Sequence, residues 1–117
     1  MDKYLPNRND CVIPDEKIHI YLLNLNHQKG KSKAKFFNNF GFNIENANKF
    51  IIALKNHAIN RPVVAKKENN FGIKYTLRCL LETPDGRNPC IDTIWIIELL
   101  TNQPRLITAY PAKQNEN

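Results

Sequence analysis

Residues 71–99 read FGIKYTLRCLLETPDGRNPCIDTIWIIEL, and this stretch decides the fold. From Ile73 to Leu81 apolar residues alternate with Lys, Thr and Arg, which is typical of a half-exposed strand with a basic outer face. Residues 83–86 are a strong turn signal, because proline presets the first corner and glycine accepts a positive φ. Residues 91–99 are rich in β-branched and aromatic side chains and predict the next strand. The stretch therefore predicts two paired antiparallel strands.

Shorter strands are predicted on both sides of this pair. Residues 62–67 form a first strand, which the Asn-Asn-Phe-Gly turn at residues 69–72 joins to the next one. Residues 105–110 form a fourth strand after the turn at residues 102–104. The second half of the chain thus predicts a four-stranded antiparallel meander.

Helical patterns precede the sheet. Pro14 followed by two acids predicts the start of a short helix. A second helix is predicted over residues 31–39, with Gly41 as its C-terminal cap, and a third runs from the N-cap Asn43 to just before Arg61. We therefore expect an α+β fold in which two to three N-terminal helices pack on one face of a four-stranded antiparallel β-sheet, leaving the other face open.

Size and composition predict one domain. The chain has 117 residues, which suits a single core, so we expect one domain over 1–117 with an irregular arm at 1–13 and a frayed tail at 112–117. Its apolar runs are too short to span a bilayer and its first ten residues are polar, which favours a cytoplasmic protein. Three cysteines without a CxxC spacing indicate neither a disulfide framework nor a zinc site.

The positive charge is concentrated in one segment. The formal net charge is +6, and residues 17–44 contain no Asp or Glu but hold five lysines. Four of these lie at residues 29–35, at the predicted start of the second helix, where free backbone N–H groups and the helix dipole already favour an anion. The segment therefore predicts a phosphate-binding site, with a solvated lysine face as the alternative.

Several site classes lack the residues they require. The sequence has no GxGxxG, GxxxxGK[ST], HExxH or GxSxG motif. The histidines at 19, 27 and 57 are scattered, which disfavours a metal-dependent hydrolase, and no carboxylate pair suits a glycosidase. We therefore expect no metal site and no cofactor.

Metal-free RNA cleavage needs fewer groups, because the substrate supplies its own nucleophile in the 2′-hydroxyl. His27 is the candidate general acid or base, since histidine exchanges protons readily near neutral pH. Lys33 and Lys31 are candidates to hold the phosphate, and Thr93 and Thr108 are candidate hydroxyl donors on the exposed sheet face. Basic residues and aromatic stacking platforms complete the predicted RNA-binding set: Lys29, Lys31, Lys35, Tyr75, Arg78, Trp95 and Tyr110.

Each of these assignments has a structural alternative. His27 is equally explained as a surface or capping histidine, and the histidines at 19 and 57 as structural residues. For Thr93, Trp95, Thr108 and Tyr110 the alternative is cross-strand packing.

The runs YLLNLNHQKGKSKAKFFNNFGF, FGIKYTLRCLLETPDGR, DTIWII and QPRLITAYP together resemble a bacterial family of unknown-function domains found as short standalone proteins. They are also similar to the C-terminal toxin domains of contact-dependent and other polymorphic toxins, over roughly residues 5–111. The pattern His-Pro-x-Gly-x-x-Lys places its histidine, glycine and lysine on His27, Gly30 and Lys33, and the strand threonines fall on Thr93 and Thr108. The usual proline after the histidine is Gln28 here.

The resemblance implies a ribonuclease fold of the barnase, colicin and RelE type and a metal-independent endoribonuclease, with tRNA as a candidate substrate. A standalone copy implies a toxin-antitoxin system with a small acidic antitoxin or immunity protein as partner. An RNA-binding or protein-binding module that lacks catalysis is the alternative on the same fold. An antitoxin or immunity role is disfavoured, because the sequence pI is about 9.3.

Overall fold

The strands pair in the order in which they occur along the chain. The computed structural model describes residues 3–28 and 30–112 and contains one antiparallel sheet of order β1-β2-β3-β4. Its strands are β1 (Val63–Asn69), β2 (Gly72–Leu80), β3 (Cys90–Glu98) and β4 (Arg105–Pro111). The predicted four-stranded meander is confirmed.

Helical segments precede the sheet, as the sequence predicts, and the α+β fold class is confirmed. They are a 3₁₀ turn (Arg8–Asp10), a π-helix (Lys17–Leu22), α1 (Lys31–Asn39), a second 3₁₀ turn (Ile44–Asn46) and α2 (Ala47–Asn60). The helix predicted from Asn43 thus begins as a 3₁₀ turn. There the side chains of Asn43 and Asn46 cap each other's backbone N–H groups.

The first predicted helix is a π-helix. The N–H group of Leu23 donates to the carbonyl oxygen of Ile18, five residues earlier, at 3.0 Å. Ile18 and Leu22 are buried in the core, whereas Tyr21, beside them, is half-buried and lies next to the loop that leads to α1. Single π turns of this kind occur often at functional sites.

One hydrophobic core joins the sheet, both α-helices and the N-terminal arm. α2 packs against β2 and β3, and the π-helix and α1 pack beside β4. The arm is irregular apart from its 3₁₀ turn, but it is held to the core by Leu5 and Cys11, both buried. Of the tail expected to fray, only Ala112 is among the described residues. Within those residues, no helix is long and apolar enough to cross a bilayer.

The register of β3 and β4 decides which side chains share a face. Ile94 lies opposite Thr108, but the next residue, Trp95, lies opposite Leu106, so Ile107 is the extra residue of a β-bulge. The bulge lets Leu106 enter the core while Thr108 occupies the opposite face. Tyr110, two residues later, shares that opposite face.

Candidate functional site

Gly30 brings the loop before α1 into contact with the π-helix. A Cβ atom at Gly30 would lie 2.7 Å from the carbonyl oxygen of Tyr21 and 2.9 Å from its ring atom Cδ1. The backbone φ of Gly30 is −95°, which any residue can adopt, so the glycine is required for space. Only a residue without a side chain allows this approach.

Lys33, in the first turn of α1, has hydroxyl and aromatic partners. Its Nζ donates to the hydroxyl oxygen of Tyr21 at 2.6 Å and to that of Thr108 at 3.3 Å. The same ammonium lies 4.8 Å from the ring centroid of Tyr21 and 5.8 Å from that of Tyr110. Within residues 3–28 and 30–112, no Asp or Glu forms an ion pair with Lys33. Among the residues that the structure describes, this half-buried cation is thus held only by neutral oxygens and aromatic faces.

Tyr21 is a site residue that the sequence analysis missed. Its hydroxyl oxygen accepts a hydrogen bond from Lys33, so its own O–H is available to donate elsewhere. The helical spacing of residues 18–22 groups Tyr21 with the core residues, because it assumes 3.6 residues per turn. No signal in the sequence distinguishes the wider π turn.

His27 is placed by the same loop. Its Nδ1 accepts the Gly30 N–H at 2.9 Å, and its ring meets the ring of Tyr21 edge-on, with 5.0 Å between centroids. Because Nδ1 is an acceptor in this arrangement, the neutral ring carries its proton on Nε2. A second proton on the ring would have to replace the hydrogen bond from Gly30.

We refer to Tyr21, His27, Lys33, Thr108 and Tyr110 as the Lys33 centre. Three of its members, His27, Lys33 and Thr108, were predicted as catalytic and Tyr110 as RNA-binding, and the fold brings all four together from the loop, α1 and β4. The bulge in β4 is what places Thr108 and Tyr110 on this side of the sheet.

The remaining predicted lysines lie around the start of α1. Lys31 and Lys35 are exposed and four residues apart, so they share one face of the helix beside Lys33. Lys29 lies outside the described residues. The first turn of α1 reads Lys-Ser-Lys, so this helix start carries positive charge only.

Three predicted site residues do not reach the exposed sheet face, and that expectation is wrong for them. Thr93 and Trp95 are fully buried and Tyr75 is 3% exposed. They occupy the side of β2 and β3 that α2 covers, because Tyr75 pairs with Trp95 across the two strands and Thr93 pairs with Leu77. Stacking on a base by Tyr75 or Trp95, and donation to substrate by Thr93, would require the core to open.

Thr93 serves a buried hydrogen-bond network. Its Oγ1 accepts from Nε1 of Trp95 at 2.9 Å and lies 2.9 Å from Nδ1 of His57, whose Nε2 lies 3.0 Å from the carbonyl oxygen of Cys79. Burial lowers the pKa of His57 to about 4, so the imidazole is neutral at pH 7. These contacts are satisfied when Thr93 donates to Nδ1 and Nε2–H donates to Cys79.

Arg78 lies on the opposite face of the sheet, as its predicted RNA-binding role requires. Its Nε and Nη2 donate to the two carboxylate oxygens of Asp92 at 2.6 and 2.9 Å. The Asp92 side chain is 5% exposed and that of Arg78 is 45% exposed. The hydrogen bonds that Arg78 donates to Asp92 raise the pKa of Arg78 above its ordinary value. A buried carboxylate therefore fixes the orientation of an accessible guanidinium.

No cluster of three or more His, Cys, Asp or Glu side chains suited to a metal ion occurs within the described part of the chain. The chemistry of the Lys33 centre is that of a cation, hydroxyl groups and an imidazole.

The sequence and the fold were compared with those of known proteins. A family model described as a domain of unknown function, DUF6883, matches residues 4–113. No curated protein gives a significant match. A solved chain from a contact-dependent growth inhibition toxin–immunity protein complex of Klebsiella pneumoniae 342 superposes with a TM-score of 0.67 and 14% identity, covering 86% of this chain and 99% of that chain. At this identity the likeness shows a shared fold.

Proposed function

The chain belongs to the DUF6883 family of domains of unknown function, and we propose that it is a toxin-type, metal-independent endoribonuclease with its phosphate site at Lys33. The observation that carries the proposal is the half-buried ammonium of Lys33, which has two hydroxyl partners and no described carboxylate. A partly desolvated cation without a counter-ion is unfavourable by itself, and an anion removes that cost.

RNA supplies such an anion at every nucleotide. Lys31 and Lys35 extend the positive field along α1, and the net charge of +6 favours association with a polyanion. The fold shared with a chain of a toxin–immunity protein complex supports a toxin role. Among RNAs, tRNA is the candidate substrate that the family resemblance suggests.

The proposed reaction is transesterification within the RNA. The 2′-oxygen forms a bond to the adjacent phosphorus, the bond from phosphorus to the 5′-oxygen breaks, and the products are a 2′,3′-cyclic phosphate and a 5′-hydroxyl end. One proton leaves the 2′-hydroxyl and one reaches the 5′-oxygen. Lys33 stabilises the charge of the phosphorane, Thr108 and the Tyr21 O–H donate hydrogen bonds to its oxygens, and His27 transfers a proton.

A non-catalytic RNA-binding or protein-binding module is the second candidate. The observation that favours it is the hydrogen bond from Gly30 to Nδ1 of His27, which holds the ring in one tautomer. Proton transfer by His27 requires this bond to break during the reaction, whereas binding alone does not.

A small acidic antitoxin or immunity protein is the proposed protein partner. Lys31 and Lys35 are exposed beside the Lys33 centre, so a partner with carboxylates over α1 would cover the phosphate site and neutralise its field. Such a complex would dissociate more readily as the salt concentration rises.

The test is incubation of the protein with total bacterial RNA and with isolated tRNA in the presence of EDTA, followed by analysis of the cleaved ends. Lys33→Met and Tyr21→Phe should abolish or strongly reduce fragments that end in 2′,3′-cyclic phosphate. Lys49→Met removes an exposed lysine of α2 and is the matched control, which should cleave like the wild type. If wild-type protein leaves RNA intact at concentrations that give a gel shift, the nuclease proposal is wrong and the binding module takes its place.

A further inference from the structure

A second recess lies next to the Lys33 centre. It is a cavity of about 450 Å³ between the C-terminal half of α1, the start of β3 and the end of β4. Phe36, Phe40, Pro89, Cys90 and Pro111 form apolar walls, and Arg78 stands at one side. Burial raises the pKa of the Cys90 thiol to about 12, so this wall is uncharged at pH 7. The volume is within the range of pockets that hold small ligands.

The pocket lies beside the Lys33 centre, because Arg78 pairs with Asp92, and Asp92 pairs with Tyr110, across neighbouring strands. Phe36 and Phe40 follow Lys33 by three and seven residues, so they lie on the same side of α1, roughly 4.5 and 10.5 Å further along its axis. On β4, Pro111 follows Tyr110, whose ring contacts the ammonium of Lys33. When the phosphate of a nucleotide lies at Lys33, the base of that nucleotide is therefore within reach of the pocket.

The rings that line the pocket are held in place from outside it. The ring centroids of Phe36 and Phe40 are 4.9 Å apart, and the guanidinium of Arg87 lies 4.3 Å from the Phe40 centroid. Arg87 is itself fixed by Asp85 and by the carbonyl oxygen of Asn39. An aromatic wall that is already ordered loses little entropy when a flat ligand packs against it.

Arg78 adds one directional polar group to these walls. Of its five N–H donors, Asp92 takes one from Nε and one from Nη2, and among the described residues the other three have no hydrogen-bond partner. Arginine pairs in two-pronged fashion with O6 and N7 of guanine, which are both acceptors. Adenine places an N6 donor beside its N7, and this donor would face the donors of Arg78.

We propose that this pocket binds the guanine base of the nucleotide whose phosphate lies at Lys33. The proposal rests on the proposed function for its substrate class and adds the base that the site selects. Apolar and aromatic walls hold the flat base, and the remaining N–H donors of Arg78 distinguish guanine from adenine.

The experiment is a titration of the isotopically labelled protein with guanosine, adenosine, cytidine and uridine, followed by NMR. We expect guanosine to shift the amide signals of Phe36, Phe40, Cys90 and Ala112 and to bind about tenfold more tightly than adenosine. Arg78→Lys keeps the charge beside Asp92 but loses the planar fork, so it should remove the preference for guanosine while the protein stays folded. Lys49→Met is the control and should keep the preference.

Nucleosides carry no phosphate and are not cleaved, so this result is independent of the chemistry at Lys33. Guanosine binding at the pocket without RNA cleavage would refute the nuclease and leave the pocket assignment standing. Three results would overturn the guanine assignment even if RNA is cleaved. The first is that no nucleoside shifts the pocket signals, and the second is that all four nucleosides shift them equally. The third is that Arg78→Lys keeps the preference for guanosine.

Discussion

The imidazole of His57 and the hydroxyl of Thr93 are 36 residues apart in sequence and are joined by a 2.9 Å hydrogen bond between α2 and β3. The bond fixes α2 to the side of the sheet that this helix covers. It also requires a neutral imidazole, because a protonated ring would carry a charge in the core, where His57 is 1% exposed.

We expect stability to fall in acid because of His57. Its pKa is about 4 in the folded protein and 6.5 in the unfolded chain, so only the unfolded chain gains a proton between these values. The contribution of the neutral ring is fully present above pH 6.5 and is lost as the pH falls toward 4. It amounts to roughly 3 kcal/mol. Unfolding by urea across this range measures it.

His57→Gln is the control, because glutamine does not titrate. The difference in unfolding free energy between wild type and variant should shrink as the pH falls from 7 to 4.5. A difference that stays constant would show that the pKa of His57 is the same in the folded and unfolded states.

Gly30→Ala should disrupt the Lys33 centre. The new methyl group would meet the Tyr21 carbonyl oxygen at 2.7 Å, so the loop must move away from the π-helix, at a cost of about 1–3 kcal/mol. Thermal unfolding reports the stability, and RNA cleavage and RNA affinity report the site.

Gly86→Ala is the control that separates a loss of stability from a disruption of the Lys33 centre. Gly86 has a φ of +78° and nothing within 4 Å of a new Cβ, so alanine there strains the backbone of the turn between β2 and β3. It should lower stability by about 1 kcal/mol and leave the cleavage rate at its wild-type value, because the hydrogen bond between Lys33 and Tyr21 is retained. If Gly30→Ala behaves in the same way, the close approach to Tyr21 has no functional role.

Two substitutions of His27 distinguish positioning from proton transfer. Asparagine can place an oxygen near the position of Nδ1 and accept the Gly30 N–H, whereas glutamine places its polar group nearer the position of Nε2. We expect His27→Asn to keep the fold and RNA affinity but to lower the cleavage rate about 100-fold or more. His27→Gln should lose the Gly30 contact as well.

The readouts for this pair are single-turnover cleavage, RNA affinity and the amide signal of Gly30. Cleavage by His27→Asn at the wild-type rate would make His27 a positioning residue, and the proton would then have to move through another group of the centre.

The sequence predicts the bounds of helices and strands well where local signals, such as turn residues and hydrophobic spacing, determine them. The bounds of α1 match the prediction, because a loop glycine precedes it and apolar residues recur at helical spacing. The strand bounds agree within two residues, because turn residues separate the β-branched runs.

The candidate site is only partly predictable. The side of the sheet that becomes buried depends on which helices pack against it, and the strand sequence alone does not show this. β3 is apolar on both sides, with Ile94 and Ile96 on one and Trp95 on the other, so alternation does not reveal which side Thr93 occupies. In β4 the bulge at Ile107 breaks the alternation that a regular strand would impose. Tyr21 was missed because the π turn changes the helical period.

The Lys33 centre also sets an order of assembly. Tyr21 and Lys33 lie before the sheet, whereas Thr108 lies on the last strand, so the hydrogen bond from Lys33 to Thr108 joins residues 75 positions apart. A ribosome makes the lysine-rich helix first and β4 last, and contacts between such distant segments form late in folding. The lysine-rich segment is therefore present early in synthesis, whereas the full Lys33 centre exists only after β4 has docked. Under the proposed function, we expect a nascent chain that lacks β4 not to cleave the RNA of the ribosome that is making it.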